Sequence, residues 1–279
     1  MDGTPGAPQV TRVVLLFGPH LRSAHEFAVR LAADERIELV GLYCEAPGEG
    51  WRERLTDLLR RRGPLGLPIY AAGVLLRGLE FVRHPSARIR HHRAWSRLAR
   101  QVRYVEDLHS PAVIREIQAT APDVGAVYGG PILRPELFEV PSRGTLGIHH
   151  GRLPAYRGKK TTFWEIWEGE ERAGVTIQRI NAGVDTGTIV STGTVPVGRR
   201  PYERVWKDVQ ALGIDLFVEA LATGGVPESR PMAGADFAGG GTPDPIGPLR
   251  YDPGWRELLA LPFRRWTRRL RDRRARIGR

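Results

Sequence analysis

TRVVLLFGPHLRSAHEFAVRLAADERIELVGLYC, residues 11–44, decides the fold class. Residues 11–18 are a short apolar run closed by Gly18-Pro19, the pattern of a strand buried on both faces. Residues 22–33 place Phe27, Ala28 and Leu31 on one helical face. IELVGLYC, residues 37–44, reads as a second buried strand. Strand, helix and strand make a βαβ unit, which predicts a parallel sheet with a right-handed crossover. Ligands of such sheets gather beyond the carboxyl ends of the strands. The turn Gly18-Pro19-His20 falls there, so His20 is a candidate substrate contact. That turn is not G-x-G-x-x-G, and no dinucleotide cofactor is expected.

Further along, the rhythm is interrupted and then resumes. Residues 50–103 read as an Arg-rich helical insertion; its apolar stretch at 65–82 carries Arg77 and Glu80 and is shorter than the ~20 residues that cross a bilayer. A helix capping the sheet is the preferred reading of that stretch, with a helix lying on a membrane surface as the alternative. The α/β pattern returns with YVEDL, the helix PAVIREIQAT and the strand VGAVYGG. Ser110 suits the cap of that helix and Pro111 its first turn. GVTIQRI and GTIVSTGTVPV alternate as strands do, and the helix that follows carries Val205, Val209, Leu212, Leu216 and Leu221 on one stripe. Residues 224–250 are rich in glycine and proline and read as a loop or linker. The expected organisation is an α/β domain over 1–225 followed, at 226–279, by a linker and a basic amphipathic tail.

Composition narrows the class. Of 279 residues, 41% are hydrophobic, enough for a core, so global disorder is not expected. The single cysteine, Cys44, excludes an internal disulfide and a cysteine-based zinc site. The first ten residues are polar and the apolar run after them is too short for a secretory signal, so a cytoplasmic location is expected. A net charge of +11 is concentrated in arginines at 52–103 and after residue 263. Solvated arginine faces account for this; an anionic surface such as a membrane is the alternative, with peripheral attachment left open. Nucleic acid is not the expected partner, and a homo-oligomer remains open.

The chemistry sits in GTLGIHHGRLPAYRG (144–158), FWEIWEGEERAGVTIQRI (163–180) and NAGVDTGTIV (181–190). A histidine pair on a Gly/Pro-bounded loop and an aspartate in a glycine turn exceed what packing requires. An imidazole suits proton transfer at neutral pH, and a carboxylate can orient it and stabilise its charge. His149 and Asp185 are the candidate pair. Adjacent His149 and His150 also hint at metal. Consecutive side chains point apart, however, and no carboxylate or cysteine stands at ligand spacing nearby, so no metal is expected.

These motifs resemble the formyltransferase family, which moves a formyl group from 10-formyltetrahydrofolate to an amine. The family reads N-x-H-x-S-x-L-P-x-Y-R-G, a W-A-I-x-x-G-like helix, G-V-T and D-T-G-D-I. Here His149, Leu153, Pro154, Tyr156, Arg157 and Gly158 fall in step, followed by Trp164, Ile166, Gly174-Val175-Thr176 and Asp185-Thr186-Gly187. PDVGAVYGGPILRPELF (122–138) looks like the strand and turn beside the folate pocket. Two positions depart: Gly147 stands where the family has its catalytic asparagine, and Thr188 replaces the last acid of D-T-G-D-I.

The resemblance implies a Rossmann-like formyltransferase fold, with a mostly parallel twisted sheet flanked by helices. It implies 10-formyltetrahydrofolate as cosubstrate and a small-molecule amine as acceptor. His149 and Asp185 take the catalytic positions, with Gly147 at the asparagine position and His150 beside them. Pro131, Ile132 and Leu133 take the pterin turn, and Asn181, Ala182, Gly183 and Val184 the loop bordering the same ring. Arg157 is either structural or faces an anionic part of the substrate, and Lys159 and Lys160 add positive charge at the pocket mouth, which favours a phosphorylated acceptor such as a nucleotide-linked amino sugar. Initiator-tRNA formylation is not expected, because residues 226–279 are too short for the β-rich domain that family members with that role carry. Removing one oxyanion donor costs on the order of 10²–10³ in kcat. Gly147 therefore leaves three readings open: His150 or the glycine N–H replaces the amide, the pocket serves another reaction, or the protein binds without turnover, as a scaffold at an anionic surface.

Overall fold

The computed structural model describes residues 10–18, 22–46, 85–226, 246–254, 256–261 and 264. His20, the insertion up to residue 84, residues 227–245 and most of the basic tail lie outside them. The chain divides into two compact units. One comprises Met1–Ile148, Arg179–Ala182 and Phe217–Glu228; the other comprises His149–Gln178, Gly183–Leu216 and Ser229–Arg279.

In the first unit β1 (Thr11–Phe17) is central. It pairs in parallel with β2 (Ile37–Glu45) on one edge and with β4 (Val124–Tyr128) on the other. β3 (Val102–Val105) continues the sheet beyond β2, and β5 (Thr145–His149) continues it beyond β4, both in parallel. A strand with neighbours on both edges and cover on both faces must be apolar throughout, and VVLLF is. Val14 and Leu16 enter a cluster with Val113 and Ile117 of α3 (Pro111–Ala119), with Leu133, and with Leu137 and Phe138 of α4 (Pro135–Phe138). The alternate residues Val13 and Leu15 are equally buried, so the opposite face is covered too. α1 (Arg22–Ala32) buries Ala24, Phe27, Ala28 and Leu31, and Phe27 stacks on Phe217 with ring centroids 4.6 Å apart.

Local rules place the remaining elements. Ser110 accepts from the Val113 N–H and caps α3, with Pro111 in its first turn. α2 (Pro85–Leu98) lies beside α1, where Trp95 stacks on His25 at 3.9 Å. Cys44 is a buried free thiol on β2, in register with Phe17 and Tyr104. The chain leaves β1 to build one side of the sheet and returns through β4 to build the other. The carboxyl ends of β1 and β4 are thus a topological switch point, where α/β folds place ligands. Backbone approach there is close: a Cβ on Gly18 would stand 2.4 Å from the Gly129 carbonyl oxygen.

The second unit begins at His149, the last residue of β5, and is built around an antiparallel pair. β7 (Arg172–Arg179) and β8 (Ile189–Pro196) run from Arg172↔Pro196 to Gln178↔Ile189, with an irregularity between Ile177 and Gln178. Ala173, Val175 and Ile177 are buried on β7, as are Phe163 and Ile166 on α5 (Thr161–Glu168). α6 (Tyr202–Ala222) starts in this unit with Val205 and Val209 fully buried and ends in the first with Leu221 fully buried. A short parallel ladder joins β6 (Arg157–Gly158) to β9 (Leu249–Arg250). No helix among the described residues is long and apolar enough to cross a membrane.

Candidate active site

β5 ends by delivering His149 into the second unit, where its side chain is buried. Its Nδ1 lies 3.3 Å from Asp185 Oδ1 and its Nε2 lies 2.6 Å from the Tyr156 carbonyl oxygen. Both neighbours are acceptors. A neutral imidazole has one N–H and satisfies one of them; only the imidazolium satisfies both. Burial alone would lower the pKa of the ring, but the hydrogen bond and charge of Asp185, with the Tyr156 carbonyl, outweigh it and hold the pKa above 6.5.

Asp185 is fixed as firmly as its partner. It sits at a φ of +51° in the turn before Gly187, a left-handed conformation that aspartate tolerates better than most residues. Its Oδ2 accepts from the Gly158 N–H at 2.8 Å and its Oδ1 from Gln178 Nε2 at 3.2 Å. Gln178 is held in turn by the Gly187 N–H at 3.1 Å. Burial would raise the carboxyl pKa, yet the His149 bond and charge and these two donors bring it below 3.8. The result is a close pair held by the Tyr156 carbonyl on one side and by the Gly158 N–H and the Gln178 amide on the other.

The loop between His149 and α5 hangs on a second carboxylate, Glu165, which is fully buried on the inward face of α5. It accepts from the Arg152 N–H at 3.0 Å, from Arg152 Nε at 3.3 Å and from the Gly174 N–H. Burial lifts its pKa to about 7 despite these donors. Arg152 also pairs with Glu170 at 2.7 Å, and the single Tyr156 O–H lies between the Glu168 and Glu170 carboxylates, 2.9 Å from each. Thr176 Oγ1 bridges the Leu153 N–H and the Gly151 carbonyl. His150 is different in kind. Burial, with the charges of His149 and Lys160, drives its pKa to about 3, and its ring lies 4.8 Å from that of Trp206. It is neutral at physiological pH.

The sequence candidates therefore separate. His149 and Asp185 are brought together. Arg157 donates to the Val184 carbonyl at 2.7 Å, tying the turn before Asp185 to the Y-R-G turn. Lys159 is exposed, 3.9 Å from Asp252, and exposed Lys160 lies over the Trp206 ring. In the first unit, Leu133 is buried in the core cluster, Ile132 is 72% exposed, Pro131 and Asn181 are half-buried, and Ala182 is exposed. Gly183 and Val184, in the second unit, are exposed. Gly147 is closed in: a Cβ there would stand 2.6 Å from Ile180 Cδ1 and 3.1 Å from Val127 Cγ1.

Sequence reading missed Glu165, Gln178 and the Tyr156 carbonyl. Glu165 carried a weak signal, since it stands between Phe163 and Ile166 in an otherwise apolar turn; a backbone carbonyl carries none. Among the described residues, Glu45, Asp107 and His109 form a cluster of metal-ligand types. Its donors already serve the fold, because His109 Nε2 accepts from the Arg134 N–H and Glu45 accepts from the Leu108 N–H.

Comparison with known proteins gives the family and the fold. The family model described as Formyl transferase matches residues 82–221. The methionyl-tRNA formyltransferase of Roseiflexus sp. (strain RS-1) is 36% identical over 238 residues, 81% of this chain and 62% of that protein. That of Roseiflexus castenholzii is 29% identical over 81% of this chain and 64% of its own length. The chain thus spans less than two thirds of these relatives. Among solved structures, glycinamide ribonucleotide transformylase 1 from Symbiobacterium toebii superposes with a TM-score of 0.54 at 17% identity, covering 81% of this chain and 95% of that one. The enzyme of the same description from Geobacillus kaustophilus gives 0.53 at 18% identity, covering 77% and 98%. With the family match running across half the chain and through the His149–Asp185 pair, this protein belongs to the formyl transferase family.

Proposed function

We propose that this protein transfers the formyl group of 10-formyltetrahydrofolate to a primary amine. The observation that carries the reading is the buried imidazole of His149, held between two acceptors, the Asp185 carboxylate and the Tyr156 carbonyl, which favour its charged form. In formyl transfer a bond forms between the amine nitrogen and the formyl carbon, and the bond from that carbon to folate N10 breaks. The carbonyl oxygen gains negative charge on the way, the amine loses a proton and N10 gains one. A cationic imidazole supports this: its charge stabilises the oxyanion, and for it to give a proton to the leaving nitrogen and regain one from the amine, Nε2–H must first leave the Tyr156 carbonyl that it meets in this structure. Asp185 is a weak base with three donors around it, so its part is to keep the ring charged and aimed.

The acceptor we propose is an amine on a phosphorylated small molecule, such as a nucleotide-linked amino sugar. Exposed Lys159 and Lys160 follow directly on Gly158, whose N–H holds Asp185. They support an anionic group being carried close to the reacting amine. The test is formyl transfer from 10-formyltetrahydrofolate to a panel of amino sugar nucleotides, glycinamide ribonucleotide and methionyl-tRNA, with the product identified by mass spectrometry. Turnover of a phosphorylated small amine, abolished in His149→Ala and weakened in a Lys159→Ala/Lys160→Ala variant, is the expected result. Failure to bind 5-formyltetrahydrofolate would overturn the reading. A second reading, binding without turnover, is favoured by the closed surroundings of Gly147, which leave no room for an amide donor. Folate binding with no product from any acceptor selects it.

A further inference from the structure

Both partners of the His149 ring depend on one turn, residues 154–158. Tyr156 supplies the carbonyl at Nε2, and Gly158 supplies the N–H that holds Asp185. Residues 246–252, far along the chain, lie along that same turn. Gly247 N–H donates to the Pro154 carbonyl at 2.9 Å. Arg157 and Gly158 pair in parallel with Leu249 and Arg250, and Lys159 N–H donates to the Arg250 carbonyl at 2.9 Å. The approach is so close that a Cβ on Gly158, whose φ is +95°, would stand 2.2 Å from the Arg250 carbonyl oxygen. Only glycine serves there.

Side chains lock the strap in place. Arg250 pairs with Glu168 at 2.6 Å, and its guanidinium lies 5.9 Å from the Tyr156 ring and 5.8 Å from that of Trp164. Trp164 Nε1–H donates to the Tyr251 carbonyl at 2.9 Å. The Arg250 side chain is mostly buried, so this ion pair is not a loose surface contact.

We infer that the strap at 246–252 is a positioning element for the reacting pair, with Arg250 and Trp164 as the residues that seat it on the 154–158 turn. Arg250 touches neither His149 nor Asp185 and acts through Tyr156 and Gly158. This role rests on the proposed function for its catalytic consequence, though its structural part does not. Displacing reacting groups by an ångström costs on the order of 100-fold in rate, and groups that hold the partners of a reacting side chain act by fixing its orientation.

The experiment uses the full chain and two readouts. The first is the titration of the His149 imidazole by 15N NMR, which needs no turnover. The second is the pH profile of kcat for formyl transfer. Arg250→Ala is expected to move the His149 titration down towards 6.5 and to lower kcat roughly 10- to 100-fold with KM little changed; Arg250→Lys restores part of both. Trp164→Phe keeps the ring beneath Arg250 but loses the bond to Tyr251, and it gives a smaller shift in the same direction. Should Arg250→Ala fail to fold by circular dichroism, Trp164→Phe decides. Unchanged titration and unchanged kcat profile in the folded variants overturn the inference. A wild-type protein without turnover, whose His149 titration still responds to Arg250→Ala, removes the formyl-transfer reading and leaves the positioning role standing.

Discussion

Gly147 and His149 stand two residues apart on one strand, and their surroundings are opposites. Around Gly147 the neighbours are hydrocarbon: Ile180 and Val127 occupy the space a side chain would need. Around His149 the neighbours are acceptors, Asp185 and the Tyr156 carbonyl, which require a polar ring with two N–H groups. Two alternate buried positions of a strand have thus been committed, one to packing and the other to a polar pair. A side chain cannot be introduced at 147 without disturbing the packing of Ile180 and Val127.

The comparison breaks most visibly at His149. His149→Ala removes the only cation in this pair and is expected to lower formyl transfer by about 10²–10⁴-fold. Asp185→Asn is expected to lose less, because its amide oxygen can still accept from Nδ1, although its NH2 then faces the Gly158 N–H. Equal rates in wild type and His149→Ala would show that charge at 149 is not used.

At Gly147 the predicted effect is on stability. Gly147→Asn must push aside the Ile180 ethyl arm, and overpacking of this kind costs about 1–3 kcal/mol, read as a lower urea midpoint. Adding Ile180→Ala makes room and is expected to recover most of the loss. A single Gly147→Asn as stable as wild type would show that the hydrocarbon wall yields freely.

The smallest effect concerns pH. His149 has a raised folded pKa, so its contribution to stability is complete below 6.5 and fades as pH climbs through the higher folded value. Asp185 runs the other way: its contribution is present above 3.8 and fades as pH drops through the lower folded value. Glu165 is a carboxyl with a raised pKa, so the folded state holds its proton more tightly and stability declines as pH rises from 4.5 to about 7. Glu165→Gln keeps the acceptor oxygen and cannot titrate. The stability of that variant relative to wild type is expected to increase over this interval and to level off above it, as measured by chemical denaturation at a series of pH values. A flat difference would mean that Glu165 is ionised throughout.

The sequence made some of this readable. VVLLF had to be a central strand because no polar residue interrupts it, and Ser110-Pro111 announced the start of α3. His149 and Asp185 could be paired only because several short motifs occur in order; nothing in their spacing alone brings them to 3.3 Å. Three features left no such trace. The acceptor at Nε2 is a main-chain carbonyl. Ile180 closes on Gly147 from a segment of the chain more than thirty positions away, a relation that only folding creates. β9 is two residues long in a stretch whose glycines and prolines read as a linker, and its partner is β6, equally short. Short ladders rest on tertiary approach and not on propensity.

Cys44 gives the first unit a built-in tracer. It is the lone sulfhydryl of the molecule, shut beneath strands on both edges, and burial raises its pKa, which keeps it in the unreactive protonated form. A maleimide or disulfide reagent can reach it only when β2 peels from its neighbours, so the speed of labelling clocks that opening directly. The tracer thus reports on one unit and the imidazole titration on the other.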